Sequence, residues 1–244
     1  MSKFWIIPNL QKEKTPEVLE KTTAILKEAH QNFEVIDLKS EDHDFKKDDI
    51  ILFIGGDGTF LRCAHLAYRY DLALCGINTG NLGFLTNAEA SESASWLRSF
   101  ILNNKTIEKC PLLAMEFKGT KIEPIVNDIV LYSLGSYNVF KVYYKDQLIY
   151  KTSASGLIVA SGIGSTGINL SAYGPVIMKE SHNIVLTPIC ALLGKGYSLV
   201  VPLDDDLIIE SDTVFKLEID GQKREDTQNT VTIFSAKKKL KRFV

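Results

Sequence analysis

Asp49-Ile50-Ile51-Leu52-Phe53-Ile54-Gly55-Gly56-Asp57-Gly58-Thr59 decides how the rest of the chain is read. Five consecutive apolar residues, three of them isoleucine, read as a strand buried on both faces, the pattern of a parallel sheet under helices. Three glycines follow within four positions, and Phe60 to Tyr70 has the apolar spacing of a helix. Glycine permits positive φ and lets backbone N–H groups approach a ligand with no Cβ in the way. A glycine-rich turn from strand to helix is a ready anion site, because free N–H groups and the helix dipole both favour negative charge. Gly55, Gly56, Gly58 and Thr59 are therefore the candidate phosphate-binding residues.

Two other phosphate loops are excluded. No lysine stands beside Thr59, as a Walker loop requires, and the glycine spacing does not fit the dinucleotide fingerprint. Asp57 is the informative residue, since a carboxylate among phosphate-binding amides would repel the phosphate. It makes sense as proton acceptor for a hydroxyl, or as a contact to the phosphate through a metal ion. The alternative is a tight turn with a solvated Asp57, a helix cap at Thr59 and no ligand.

At 244 residues the chain is long enough for one large domain or two modest ones, each with a core. Hydrophobic and charged fractions of 45% and 24% are ordinary for globular proteins. A formal net charge of −2 gives no reason to expect nucleic acid or an anionic membrane as partner. Cys63, Cys75, Cys110 and Cys190 are far apart with no CxxC pair, which points to reduced, mostly buried thiols in a cytoplasmic protein. The N-terminus lacks a signal-peptide pattern, and no apolar run approaches the ~20 residues of a membrane helix.

The first hundred residues alternate strand and helix. Phe4 to Ile7, Phe33 to Leu38, the Ile50 strand and Leu72 to Ile77 read as strands. Thr15-Pro16-Glu17 opens a helix with an N-cap hydroxyl, and Glu89 to Asn103 forms another. The charged run Glu41 to Asp49 reads as a solvated loop. This alternation implies a parallel sheet covered by helices, with ligands at the carboxyl ends of its strands. After about Lys105 the pattern changes to strands joined by turns such as Lys118-Gly119 and Lys145-Asp146. Residues 1–104 are thus expected as an α/β domain and 105–244 as an all-β, sandwich-like domain. The basic run Lys237 to Arg242 reads as a solvated final strand or tail, with an acidic partner as the alternative.

Three further stretches carry chemistry. Asn78-Thr79-Gly80-Asn81-Leu82-Gly83-Phe84-Leu85-Thr86 offers amides at Asn78 and Asn81, and a ring at Phe84 that could stack on a flat ligand. Its alternative is a connector whose Leu and Phe plug the core. Asn127-Asp128, inside an apolar strand, needs polar partners: ribose hydroxyls, or a satisfied structural network. In Ser153 to Asn169 a strand runs into a turn rich in hydroxyls around Gly164-Ser165-Thr166, a second anion nest. Ser165 does not sit in a hydrolase elbow, and no histidine is placed as its base.

Gly55-Gly56-Asp57-Gly58-Thr59, the run from Asn78, Asn127-Asp128 and Gly164-Ser165-Thr166 resemble, in order and spacing, the motifs of the NAD kinase family. Ser171-Ala172-Tyr173-Gly174-Pro175, Leu186-Thr187-Pro188-Ile189-Cys190 and Asp220-Gly221-Gln222 continue the match over nearly the whole chain. The Gly-Gly-Asp-Gly-Thr signature is shared with diacylglycerol kinase-like relatives; the Asn78 run singles out NAD kinases. The resemblance implies an α/β domain, an all-β domain and a site between them. It implies transfer of the γ-phosphoryl of ATP, or of polyphosphate, to the adenosine-ribose 2′-hydroxyl of NAD, with Mg²⁺ or a similar divalent ion whose ligands are unassigned. By resemblance Asp57 activates that hydroxyl, and Asn127 and Asp128 hold the ribose and adenine. Thr166 lies near the adenine, and Asn78, Phe84, Ser165 and Ser171 complete the acceptor site. Homodimers or homotetramers are usual in the family.

This chain departs from the pattern at Ser155, where the family usually has Asp, and at Gly167-Ile168, where it has Ala-Tyr. Ala191-Leu192-Leu193 stands in place of Pro-His-Ser. The phosphate loop is intact while acceptor positions have changed. A kinase of another small hydroxyl compound, such as a lipid base or nucleoside, and a nucleotide-binding regulator without turnover are the rival readings.

Overall fold

The computed structural model describes residues 2–38, 43–81, 83–103, 106–192 and 196–244. The first two residues of the Glu41 run, Leu82, the expected boundary at Lys105, and Leu193 lie outside the described residues. The chain divides into two compact units, residues 1–109 with 240–244, and residues 110–239.

In the first unit, β1 (Lys3–Pro8), β2 (Asn32–Val35), β3 (Ile50–Gly55) and β4 (Ala73–Asn78) pair in parallel in the order β2-β1-β3-β4. Every residue of β3 is buried, as its apolar run demands of a strand flanked on both edges and covered on both faces. Helices α1 (Thr15–Glu28), α2 (Asp57–Tyr70) and α3 (Ser93–Leu102) supply the cover. Val18, Ile25 and Leu26 of α1 and Leu97 of α3 join Leu52 and Ile54 in one core cluster. Phe53 packs edge-on against Phe60 of α2, and only a glycine fits beside it at position 76, where a Cβ would fall 1.9 Å from the Phe53 ring.

Thr15 is not the N-cap expected of it. Lys14 occupies that position without a side-chain cap bond, and the Thr15 hydroxyl is buried against that of Thr79, 2.8 Å away. The basic run near the end of the sequence splits: Lys237, Lys238 and Lys239 are exposed, while the strand Leu240–Phe243 is largely buried. This strand pairs in parallel with β4, Lys241 opposite Ala73 and Arg242 opposite Leu74. Lys241 forms an ion pair with Asp71 at 2.7 Å, and buried Arg242 faces Glu108 at 3.6 Å.

The second unit is built on a ten-stranded sheet in which every recorded pairing is antiparallel. Its spine is the strand Leu207–Ile219, which pairs first with Asn138–Tyr144 and then with Asp128–Ser133, on either side of an irregularity after Glu210. Lys118-Gly119 and Lys145-Asp146 are hairpin turns as expected, all four residues at positive φ. Phe140, Phe215, Leu131, Leu157 and Leu186 belong to the main core. Val130, Ile158, Ala160 and Val185 form a smaller apolar cluster, against which Ile168 packs. Of the four cysteines only Cys190 is exposed.

Candidate active site

The phosphate-loop candidates sit where β3 becomes α2. Gly56 is the N-cap, Asp57 begins the helix, and the N–H groups of Thr59 and Phe60 donate to the Gly56 carbonyl at 2.8 and 3.0 Å. Thr59 is therefore inside the first turn and does not cap it; its hydroxyl accepts from Asn9 Nδ2 at 3.2 Å. None of the three glycines uses positive φ. Gly55 is needed for space, since a Cβ there would lie 2.3 Å from Thr59 Oγ1. Gly58 has nothing within 4 Å of where a Cβ would stand, and Gly56 only the Asn78 amide at 3.9 Å. Open ground over amides at a helix start is the geometry an anion needs. Asp57 stands among these amides, with its Oδ1 accepting from the Leu85 N–H at 3.2 Å.

Asn78 closes this unit's site from the end of β4. Fully buried, it donates through Nδ2 to both carboxylate oxygens of Glu89 at 3.0 Å and accepts from the Gly80 N–H at 2.9 Å. A Cβ on Gly83 would meet Asn78 Nδ2 at 2.8 Å, so the run folds tightly around the amide. Phe84 is 46% exposed and does not plug the core; Leu85 is buried. Glu89 was not singled out by sequence, where it is one acid in a polar segment.

In the second unit Asn127 lies between two strands, Thr120–Ile125 and Asp128–Ser133, and not inside one. The cause is Asp220, whose carboxylate accepts from the N–H groups of Val126, Asn127 and Asp128 at 2.9, 2.7 and 3.3 Å. Those amides would otherwise serve a sheet ladder. Asp220 and Gly221, both at positive φ, form the two-residue turn between Ile219 and Gln222. Asn127 Oδ1 is buried without a hydrogen-bond partner among the described residues. Burial, together with the Asp220 and Glu218 carboxylates nearby, pushes the Asp128 carboxyl up to about 7.

The Gly164 turn is pressed against this break. Ser161 Oγ donates to the Val126 carbonyl at 2.6 Å and accepts from the Gly164 N–H at 3.0 Å. A Cβ on Gly167 would stand 3.6 Å from Asp128 Oδ2, so Asn127, Asp128, Gly164 and Gly167 are brought together. Ser165 is fully buried, its hydroxyl donating to the Gly162 carbonyl at 2.8 Å and accepting from the Ile177 N–H at 3.2 Å. Thr166 is half-buried, with its hydroxyl 3.4 Å from the Ile163 carbonyl, and Ser171 is exposed at the end of the short helix Ile168–Ser171. Buried Asn169, bonded to the Thr187 hydroxyl at 2.7 Å and to the carbonyls of Ser165 and Pro175, holds the turn in shape.

The family model described as the ATP-NAD kinase N-terminal domain matches residues 6–104, and the ATP-NAD kinase C-terminal domain matches residues 126–244. The NAD kinase of Natranaerobius thermophilus is 31% identical over 242 residues, covering 91% of this chain and 85% of the relative. That of Campylobacter lari is 33% identical over 220 residues, covering 86% and 79%. An NAD kinase from Archaeoglobus fulgidus, solved in complex with ATP, has a TM-score of 0.79 at 23% identity, covering 99% of this chain and 93% of that one. Yeast NADH kinase complexed with NADH gives 0.77 at 20% identity, covering 100% and 83%. The class defined by these two units is a phosphotransferase with a hydroxyl acceptor. The chain belongs to the NAD kinase family.

Proposed function

We propose that this protein transfers the γ-phosphoryl group of ATP to the adenosine-ribose 2′-hydroxyl of NAD, giving NADP and ADP. The observation that carries the reading is the Asp57 carboxylate set among the open glycine amides at the start of α2. Asp57 takes the hydroxyl proton as the ribose oxygen bonds to the γ-phosphorus and the bond from that phosphorus to the β,γ-bridging oxygen breaks. The amides of Gly56 to Gly58 hold phosphate oxygens as charge shifts onto the leaving ADP.

The second unit recognises the acceptor. Asn127 Oδ1 lacks a donor among the described residues, and a ribose O–H or an adenine amino group supplies one. Asp128, poised near neutrality, accepts or donates at the same place. Ser165 shapes the turn from within, while Thr166 keeps surface for the ligand.

Among the described residues no three His, Cys, Asp or Glu side chains cluster as a metal cage. A Mg²⁺ ion carried on the triphosphate would need only one or two protein carboxylates, and which residues supply them is left unassigned. When bound, the ion neutralises phosphate charge. A homodimer or homotetramer working in the cytoplasm is part of the same reading; among the described residues no helix is long and apolar enough to cross a membrane. Incubation with Mg-ATP and a panel of NAD, NADH and nucleosides tests the proposal. NADP as the main product is expected; phosphorylation of a nucleoside in its place overturns the acceptor.

A further inference from the structure

The strand break at Val126, Asn127 and Asp128 leaves no backbone polar group unmatched. The three N–H groups donate to the Asp220 carboxylate. The Val126 carbonyl accepts from Ser161 Oγ, the Asn127 carbonyl from the Ser161 N–H at 2.9 Å, and the Asp128 carbonyl from the Asp220 N–H at 3.0 Å. Two residues distant in the chain thus saturate the break, as buried backbone requires. Asn127 Oδ1, at its centre, is the buried side-chain atom left without a partner among the described residues. No backbone N–H of the break remains to satisfy that oxygen, and the pinned backbone cannot swing it toward another donor. The turn itself does not call for an acid. Asp220 and Gly221 stand at φ 49° and 75°, and Asn-Gly suits a two-residue hairpin turn as well as Asp-Gly does. A carboxylate answers the three donors, because it offers two oxygens and no hydrogen, whereas an asparagine amide would aim its NH2 at some of them. The acid is also unwelcome to its neighbour: after burial, its charge is what most raises the Asp128 carboxyl.

We infer that Asp220 is a positioning residue for the acceptor, clamping the break so that the Asn127 amide oxygen stands bare and oriented before the ligand arrives. The inference rests on the proposed function, which gives Asn127 its part in acceptor binding. With the break already ordered, binding does not carry the entropy cost of arranging it, and the ligand's donor meets an oxygen with no competing partner. Asp220 acts through Asn127 and not on the reacting atoms.

Asp220→Asn keeps the turn and removes the charge. Its NAD dissociation constant, read by calorimetry without ATP, should rise roughly tenfold, as for loss of a charge-assisted hydrogen bond. The KM for NAD should rise with it while kcat and the KM for ATP hold, a split that general loosening of the fold would not give. Combined with Asn127→Ala, the change should weaken NAD no more than the worse of the two does alone, because both act at one oxygen. Penalties that multiply, wild-type NAD affinity in Asp220→Asn, or equal weakening of ATP overturns the inference. Melting temperatures fix conditions under which each variant is folded. Amide hydrogen exchange of the wild type needs no variant: slow exchange at Val126, Asn127 and Asp128 in the free protein is expected, and amides that slow only when NAD is added overturn the inference. Exchange is read without ligand and affinity without ATP. A protein that shows the protected amides and binds NAD without phosphorylating it therefore refutes the reaction and leaves the clamp standing.

Discussion

A Cβ on Gly164 would stand 1.9 Å from the carbonyl oxygen of Asn127. The turn after the strand Gly156–Ala160 thus touches the strand break before Asp128 backbone to backbone, and Ser161 binds both sides of the contact. Gly164→Ala must move one of the two segments. It should cost about 1–3 kcal/mol of stability, as overpacking does, and weaken NAD binding because Asn127 moves with its backbone. Denaturant titration and NAD affinity check it; wild-type values for both would show that the contact yields freely.

Gly58 presents the opposite case. Nothing lies within 4 Å of its missing Cβ, and it occupies the first turn of α2 without positive φ. Gly58→Ala should stabilise the fold by roughly 0.5–1 kcal/mol, the helical preference for Ala. It should also raise the KM for ATP, since the methyl group occupies the ground over the amides. A stabilised variant with an unchanged ATP KM would place the phosphates elsewhere.

Asn127→Ala removes a side chain whose Oδ1 is already without a partner among the described residues. Stability should change little, while NAD affinity falls by about 1–3 kcal/mol from the ligand donor left unpaired. ATP affinity should hold. Equal weakening of both ligands would make Asn127 a support for the site in general.

Asp128 gives the fold a pH dependence. Its carboxyl is raised from 3.8 to about 7 in the folded protein by burial and by the Asp220 and Glu218 charges. In that window the folded state holds a proton the unfolded chain has lost, so stability falls as pH rises from about 4 through 7. Asp128→Asn should flatten this slope and leave the protein more stable than wild type at pH above 7. Urea midpoints measured across the range decide it; parallel curves for the two proteins would mean Asp128 is ionised throughout.

Asp57→Asn keeps shape and removes basicity. The rate of NAD phosphorylation should drop roughly 10²–10⁴-fold, the usual contribution of a general base. ATP affinity should be kept or improved as a negative charge leaves the phosphate site, and the melting temperature should be unchanged. Normal turnover would remove Asp57 from the mechanism.

The first unit was legible because its signals are local: an apolar run of strand length, a glycine turn and helical spacing all occupy neighbouring positions. The antiparallel unit was legible through turn residues such as Lys118-Gly119, although its strand limits shifted wherever a distant residue intervened. Asp220 reaches back across 94 positions to the Val126 amide and breaks a strand that sequence alone reads as continuous. Thr15, a good cap by local rules, bonds Thr79 across 64 positions. The order of motifs nominated the candidate site residues, but not their division of labour. Whether a hydroxyl such as that of Ser165 is turned inward or offered outward depends on a distant partner, here the backbone N–H of Ile177, twelve residues away, which donates to it.

The strand Leu240–Phe243 completes the sheet of the first unit beside β4, with the whole of residues 110–239 lying between them in the chain. On the ribosome, β4 therefore emerges long before its neighbour exists. At 5–20 residues per second the wait is on the order of ten seconds, during which the part of the β4 edge at Ala73 and Leu74, beyond the stretch paired with Ala88 and Glu89, offers unpaired backbone groups to any passing strand. Late arrival makes this pairing slow and non-local, and it exposes the nascent α/β unit to mispairing for as long as the antiparallel unit is being made. A chaperone that shields sheet edges would have its work here, and a nascent chain stalled before Leu240 is the species on which to look for it.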